Sequence, residues 1–181
     1  MTPRALCWCA ALATVLSLLS FEARGQNGSS DPEETTRILF VFDASNSMNA
    51  FWGQRRKWDV ARELLSASLD SLYGQAGLEL GLRVYGHGTK HVPGKQDCDD
   101  TELIVPLGPG RNLIIQQELK KLRAQGTTPI ARSLLHAADD FAQRTGPGRN
   151  VILLITDGIE ACDEDPCAVS RALQAQGVTI K

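Results

Sequence analysis

Two short, unbroken apolar runs stand out along the chain, Ile38-Leu-Phe-Val-Phe42 and Val151-Ile-Leu-Leu-Ile155. Neither alternates, so each predicts a strand covered on both faces, over Arg37 to Asp43 and Asn150 to Asp157. Downstream of the first run, Val60, Ala61, Leu64, Leu65, Leu69 and Leu72 recur at helical spacing and predict a helix over Lys57 to Tyr73, ended by Gly74. Leu78 to Tyr85 reads as a further strand, followed by a Gly/His/Lys-rich loop to about Asp97. Thr101 to Leu107 alternates and contains Pro106, which an edge strand tolerates. Asn112 to Arg123 is a second helix. Gly126-Thr127-Thr128-Pro129 turns into a third over Ile130 to Gln143, with Thr128 as N-cap and Pro129 at the first helical position. Pro166 to Gln176 is a fourth helix, and Val178-Thr179-Ile180 opens another strand. Strands alternating with helices predict an α/β fold, a doubly wound, mostly parallel Rossmann-like sheet with one antiparallel edge strand. The chain stops at Lys181 inside that last strand, which reads as a domain truncated at its C-terminus or a fragment of a longer protein.

The N-terminus changes this picture first. Arg4 precedes an almost wholly apolar stretch from Ala5 to Leu19, and Ala23-Arg24-Gly25 supplies a small-x-small cleavage pattern. Residues 1–25 are therefore expected to be a cleaved signal peptide, and the apolar stretch is shorter than the ~20 residues of a spanning helix. Residues 26–36, polar and rich in Gly, Ser and Glu, read as a flexible leader, which leaves 37–181 as one domain and a secreted or periplasmic location. No later segment is apolar enough to span a bilayer. The net charge of −2 gives no electrostatic reason to expect nucleic acid.

Candidate chemistry gathers where the buried strands end. The first ends in Asp43-Ala44-Ser45-Asn46-Ser47, the second in Asp157-Gly158. In a doubly wound sheet, ligands bind outside the carboxyl ends of the strands, beside the switch in strand order. Asp43, Ser45 and Ser47 alternate, so a tight turn brings one carboxylate and two hydroxyls to one point. Asp157 adds a second carboxylate and Thr128 a third hydroxyl. Oxygen donors without thiol or imidazole suit a hard cation such as Mg²⁺.

Asp43-x-Ser45-x-Ser47, Gly126-Thr127-Thr128-Pro129 and Ile155-Thr156-Asp157-Gly158 resemble, in order, the metal-ion-dependent adhesion site of von Willebrand factor A domains. Tyr85-Gly86-His87, Cys98-Asp99-Asp100-Thr101-Glu102-Leu103, Thr128-Pro129-Ile130-Ala131 and Asp157-Gly158-Ile159-Glu160-Ala161-Cys162 are similar to exported bacterial members of that family. The resemblance covers roughly Arg37 to Lys181. It implies a von Willebrand factor A type fold in which Ser45, Ser47 and Thr128 coordinate the ion through hydroxyls, while Asp43 and Asp157 hold it mainly through waters. It favours Mg²⁺, with Mn²⁺ or Ca²⁺ also able to take such ligands. An open coordination position would accept a carboxylate from a protein or other acidic partner. The bland reading makes Ser45, Ser47 and Thr128 turn and cap residues only.

Other features are weighed beside this one. After the leader, three cysteines remain, Cys98, Cys162 and Cys167, so one is left over from any bridge within the chain. Cys162 and Cys167 flank an acidic turn, and a disulfide between them is expected, with two free thiols as the alternative. His87, His91 and Cys98 make a zinc set on paper, against a solvated loop. Trp52 and Glu160 are candidates for a ligand-contacting rim. Trp52 is expected to pack on a neighbouring loop, and Arg55, Arg56 and Lys57 to form a solvated helix start. The function expected is non-enzymatic: an exported, divalent-metal-dependent binding or adhesion module. The alternatives are a metal-assisted hydrolase with Asp43 or Asp157 as base, and an assembly component of a larger exported complex.

Overall fold

The two apolar runs do become the centre of a sheet. A computed structural model describes residues 34–181. The expected signal peptide and the first part of the leader lie outside that range. β1 (Thr35–Asp43) starts ahead of its apolar run, because Thr35 and Thr36 already pair with Gly148 and Arg149. The leader thus gives way to the sheet at Thr35. Leu39, Phe40, Val41 and Phe42 are at most 1% exposed. Phe40 and Phe42 face one layer and Leu39 and Val41 the other, which is why the run shows no alternation.

After β1 come a short 3-10 turn (Asn46–Asn49), a small antiparallel hairpin of β2 (Phe51–Trp52) and β3 (Arg55–Arg56), and α1 (Lys57–Ser71). The turn and hairpin carry no periodicity that a sequence displays. β4 (Leu78–Tyr85) and β5 (Thr101–Gly108) follow, then α2 (Asn112–Lys121) and α3 (Ile130–Ala142). β6 (Gly148–Ile155), α4 (Pro166–Ala175) and β7 (Thr179–Ile180) complete the described chain. The main sheet has the order β5-β4-β1-β6-β7. Its pairings are parallel except that between β4 and β5, so Thr101–Gly108 is the expected antiparallel edge.

Helices cover both faces. Leu65 and Leu69 of α1 and Ile115 and Leu119 of α2 pack on Phe40 and Phe42, while Leu134, Ala137 and Phe141 of α3 and Leu173 of α4 pack on Leu39 and Val41. Each such buried Leu, Ile or Phe contributes about 1.5–3 kcal/mol relative to exposure. Trp58 meets Phe42 edge-on, ring centroids 5.4 Å apart. One polar tie crosses the second layer: Arg83 of β4 makes a bidentate pair with Asp140 of α3, Nε–Oδ2 2.7 Å and Nη2–Oδ1 2.8 Å, both side chains buried. Among the described residues, no helix is long and apolar enough to cross a membrane.

β1 and β6 are neighbours in the sheet, and the chain leaves β1 toward β4 on one side and β6 toward β7 on the other, so the strand order reverses between them. The crevice at the carboxyl ends of β1 and β6 is the place this topology offers a ligand.

Candidate metal centre

Asp43 is the last residue of β1 and fully buried. Its Oδ1 accepts the Ser45 N–H at 2.7 Å, a side-chain turn that folds the chain back on itself. Met48, 2% exposed, anchors the following 3-10 turn in the α1/α2 core. This fold-back brings the Ser45 and Ser47 hydroxyl oxygens to 2.9 Å from each other. From the end of β6, Thr156 donates its hydroxyl to Asp43 Oδ2 at 2.7 Å, and Ser47 donates to Asp157 Oδ1 at 2.8 Å. Each strand-end carboxylate thus accepts a hydroxyl from the other loop, Asp43 from Thr156 and Asp157 from Ser47.

Thr128 closes the ring from a third loop. A Cβ placed on Gly158 would lie 3.1 Å from Thr128 Cγ2, 3.5 Å from Asp43 Oδ2 and 3.7 Å from Ser47 Oγ. The space those residues bound is open because position 158 lacks a side chain. Thr128 is not the N-cap of α3: the cap position is Pro129, with no side-chain cap bond. The Thr128-Pro129 pair suggested otherwise, but α3 begins a residue later and Thr128 belongs to the turn facing the site. Asp43, Ser45, Ser47, Thr128 and Asp157 are therefore brought together. The two carboxylates and the Ser45 and Ser47 hydroxyls are linked by hydrogen bonds, with Thr128 beside them through its methyl, and oxygen donors of this kind suit a hard divalent cation.

Backbone contacts hold the three loops in place. Gly126 N–H donates to Gly86 O at 2.7 Å, Asn46 N–H to Gly126 O at 2.9 Å, and Ala44 N–H to Tyr85 O at 2.8 Å. Gly86 has φ +70°, and a Cβ there would sit 2.5 Å from Thr127 O and 2.9 Å from Ser45 N. Gly126 is as crowded, against Gly86 O and Thr89 O at 2.7 Å. Asp100, buried, accepts the Gly88 and Thr89 N–H groups and so fixes the loop after β4. Tyr85 is buried beside Asp43, and its hydroxyl has no hydrogen bond of good geometry among the described residues. Burial first, then the negative charge of Asp43, raise its pKa well above the ordinary value.

Several expectations are corrected. The disulfide joins Cys98 to Cys162, with Cα atoms 5.8 Å apart, and not Cys162 to Cys167. Nearness in sequence misled here. The loop after Asp157 folds back over the start of α3, where Ala161 N–H donates to Thr128 O, and lies against the segment before β5. Arg132 of α3 ties the same two segments, pairing with Asp99 and with Glu164. Cys167 is in the first turn of α4, its N–H taken by the Asp165 cap, and among the described residues it is the free, exposed thiol. Glu160 does not line a rim. Its Oε2 accepts Ala131 N–H at the start of α3 and its Oε1 accepts Cys162 N–H, so it serves as the missing cap of α3. The neighbouring Ile159, 88% exposed, takes the outward position.

His87, His91 and Cys98 do not assemble. Cys98 is in the disulfide, and His87 instead lies against Glu102 and Asp100. Trp52 does not pack away on a loop: it is 72% exposed and, with Lys57 and Asp157, borders an apolar cleft between α1 and β6. Lys57 is not simply a solvated helix start. Its Nζ is 2.5 Å from Asp157 Oδ2. The one hint in the sequence was a cation in the first turn of a helix, where the macrodipole disfavours it.

The comparisons with known proteins agree with the fold. The model of the von Willebrand factor type A domain matches residues 38–181. The chain is 33% identical over 168 residues to the YwmD protein of Bacillus subtilis (strain 168), covering 92% of this chain and 74% of that one. Among solved structures it is similar to BatB from Bacteroides thetaiotaomicron, with a TM-score of 0.62, 22% identity, and coverage of 81% of this chain and 64% of that one. It is also similar to proximal thread matrix protein 1 of the mussel byssus with a zinc-occupied metal-ion-dependent adhesion site, at a TM-score of 0.58, 19% identity, and coverage of 81% and 37%. Domains of this type are generally non-catalytic modules that bind protein ligands, and those with the adhesion-site motif bind divalent metals. From its matched span and its relatives, this chain belongs to the von Willebrand factor type A domain family.

Proposed function

We propose that this chain is a divalent-cation-dependent binding module that recognises a carboxylate on a protein or other acidic partner. The observation that carries the reading is the convergence of Asp43, Ser45, Ser47, Thr128 and Asp157 around the space kept open by Gly158. Ser45, Ser47 and Thr128 would hold the ion directly, and Asp43 and Asp157 would hold it through water. The ion would supply an electrophilic position for one carboxylate oxygen of the partner; Mg²⁺ is the ion assigned, with Mn²⁺ or Ca²⁺ as substitutes. Exposed Phe51, Trp52 and Ile159, at 64%, 72% and 88%, supply apolar surface in the segments that follow the two metal motifs, as binding surfaces use around a polar anchor.

Binding suits the site better than hydrolysis. Domains of this family are generally non-catalytic binding modules. We place the module outside the cytoplasm, on the strength of the leader-like N-terminus and the Cys98–Cys162 bridge. The test is retention of the full chain on an immobilised Asp/Glu-rich peptide. Retention is expected in Mg²⁺, and is expected to be lost in EDTA and in Ser47→Ala, a variant outside the buried core. Retention indifferent to both refutes the proposal.

A further inference from the structure

Lys57 is the charged group at this site that neither the donor set nor the backbone clamp explains. It is the first residue of α1, and its backbone N–H is held by Ala50 O at 2.9 Å. Its ammonium reaches Asp157 Oδ2 at 2.5 Å, with the two side chains 31% and 13% exposed. Placing a cation at a helix N-terminus works against the macrodipole, so helix stability does not account for it. Neighbouring Arg55 is engaged elsewhere, with Glu63. Asp43 and Asp157 differ accordingly: Asp43 is satisfied by an N–H and a hydroxyl, whereas Asp157 shares its charge with a cation.

We propose that Lys57 is a resident counter-ion of the cation site, a positioning residue that neutralises and aims Asp157 when no divalent ion is bound and lowers the site's affinity for one. The inference rests on the divalent-cation reading above. Asp43 and Asp157 stand in adjoining loops cross-linked by the Thr156–Asp43 and Ser47–Asp157 hydrogen bonds, and the Lys57 ammonium offsets the charge of Asp157. A divalent ion entering the same space meets a like charge at Asp157 and must compete for that carboxylate. Lys57 therefore sets a threshold, so that the site fills where divalent ions are abundant. The intact ion pair also keeps Asp157 oriented toward Ser47 meanwhile.

The experiment is calorimetric titration of the full chain with MgCl₂ and MnCl₂, for the natural chain, Lys57→Met and Lys57→Arg. Thermal unfolding of each in EDTA and in saturating Mg²⁺ accompanies it. Lys57→Met is expected to bind Mg²⁺ about fivefold tighter or more, by removal of the like charge. It is also expected to melt lower than the natural chain in EDTA and to recover that loss in Mg²⁺. Lys57→Arg, which keeps the charge, is expected to stay within about twofold of the natural affinity. Tight binding by Lys57→Met where the natural chain binds nothing measurable supports the proposal too. If Lys57→Met binds as the natural chain does, or loses stability equally with and without Mg²⁺, Lys57 is only a helix-start ion pair and this proposal falls alone. Lys57→Arg binding as tightly as Lys57→Met likewise overturns it. If neither the natural chain nor Lys57→Met binds a divalent ion, the cation reading falls with it.

Discussion

Gly86→Ala is the substitution that most directly tests how the fold builds the site. Gly86 sits at φ +70°, and Gly74, after α1, at φ +75°. Both glycines therefore meet the same backbone penalty when a Cβ is added, about 1–2 kcal/mol. Part of it, about 0.4–1 kcal/mol, is offset by the stiffer unfolded chain. At Gly74 the new methyl has nothing within 4 Å, so the net cost is about 1 kcal/mol. At Gly86 the methyl meets Thr127 O at 2.5 Å and Ser45 N and Cα at 2.9 Å. A carbon rests about 3.3 Å or more from a carbonyl oxygen, so backbone must move by about 0.8 Å. Both obstructing groups are main chain, pinned by the Gly126–Gly86 and Asn46–Gly126 hydrogen bonds, and neither can swing aside as a side chain would. Overpacking of this kind adds about 1–3 kcal/mol. Urea unfolding should therefore show a loss of about 1 kcal/mol for Gly74→Ala and about 2–4 kcal/mol for Gly86→Ala. Because the movement separates the Ser45 loop from the Thr127–Thr128 turn, Gly86→Ala should also weaken Mg²⁺ binding by tenfold or more, about 1.4 kcal/mol, while Gly74→Ala leaves it unchanged. Equal losses for the two variants, or unchanged Mg²⁺ affinity in folded Gly86→Ala, would refute the reasoning.

Asp140→Ala leaves the Arg83 guanidinium buried without its partner and should cost about 3–5 kcal/mol in chemical unfolding, whereas replacing both by well-packed apolar residues should cost far less. The Cys98–Cys162 bridge closes a separation of 64 residues, and Cys98→Ser should lower stability by about 4 kcal/mol at most. Peptide mapping without reductant should find this bridge intact in Cys167→Ser. Tyr85 has a folded-state pKa raised by burial and by Asp43, so its contribution is fully present below its unfolded pKa near 10 and is lost as pH rises past that value toward the folded pKa. Tyr85→Phe should flatten the fall in stability above about pH 10, followed by denaturant midpoints against pH. Glu160→Ala removes the acceptor at the start of α3 and should cost about 1 kcal/mol in the same assay.

Local chemistry was enough for much of this. The unbroken runs at Ile38–Phe42 and Val151–Ile155 mark strands buried on both faces, because only a doubly covered strand has no polar side to show. Alternation and Pro106 placed β5 at an edge, and Asp43-x-Ser45-x-Ser47 carried its own turn, since an aspartate that accepts the N–H two residues on folds the chain without help from elsewhere. These are short-range effects, and a sequence displays them directly.

What the sequence could not decide were partners far apart along the chain. Cys162 pairs with Cys98 and not with Cys167, Glu160 turns inward to cap a helix that began earlier in the chain, and Lys57 finds Asp157 across a hundred residues. Arg83 and Asp140 give no sign of each other in the sequence. In each case several residues of the right type were available, and the choice among them depends on which loops the sheet order brings together at its carboxyl edge. Side-chain chemistry by itself determined that oxygen donors suited to a hard cation were present at the strand ends. The packing of β1 between β4 and β6 decided which charges surround it, because a charge acts through distance in space and not through separation along the chain.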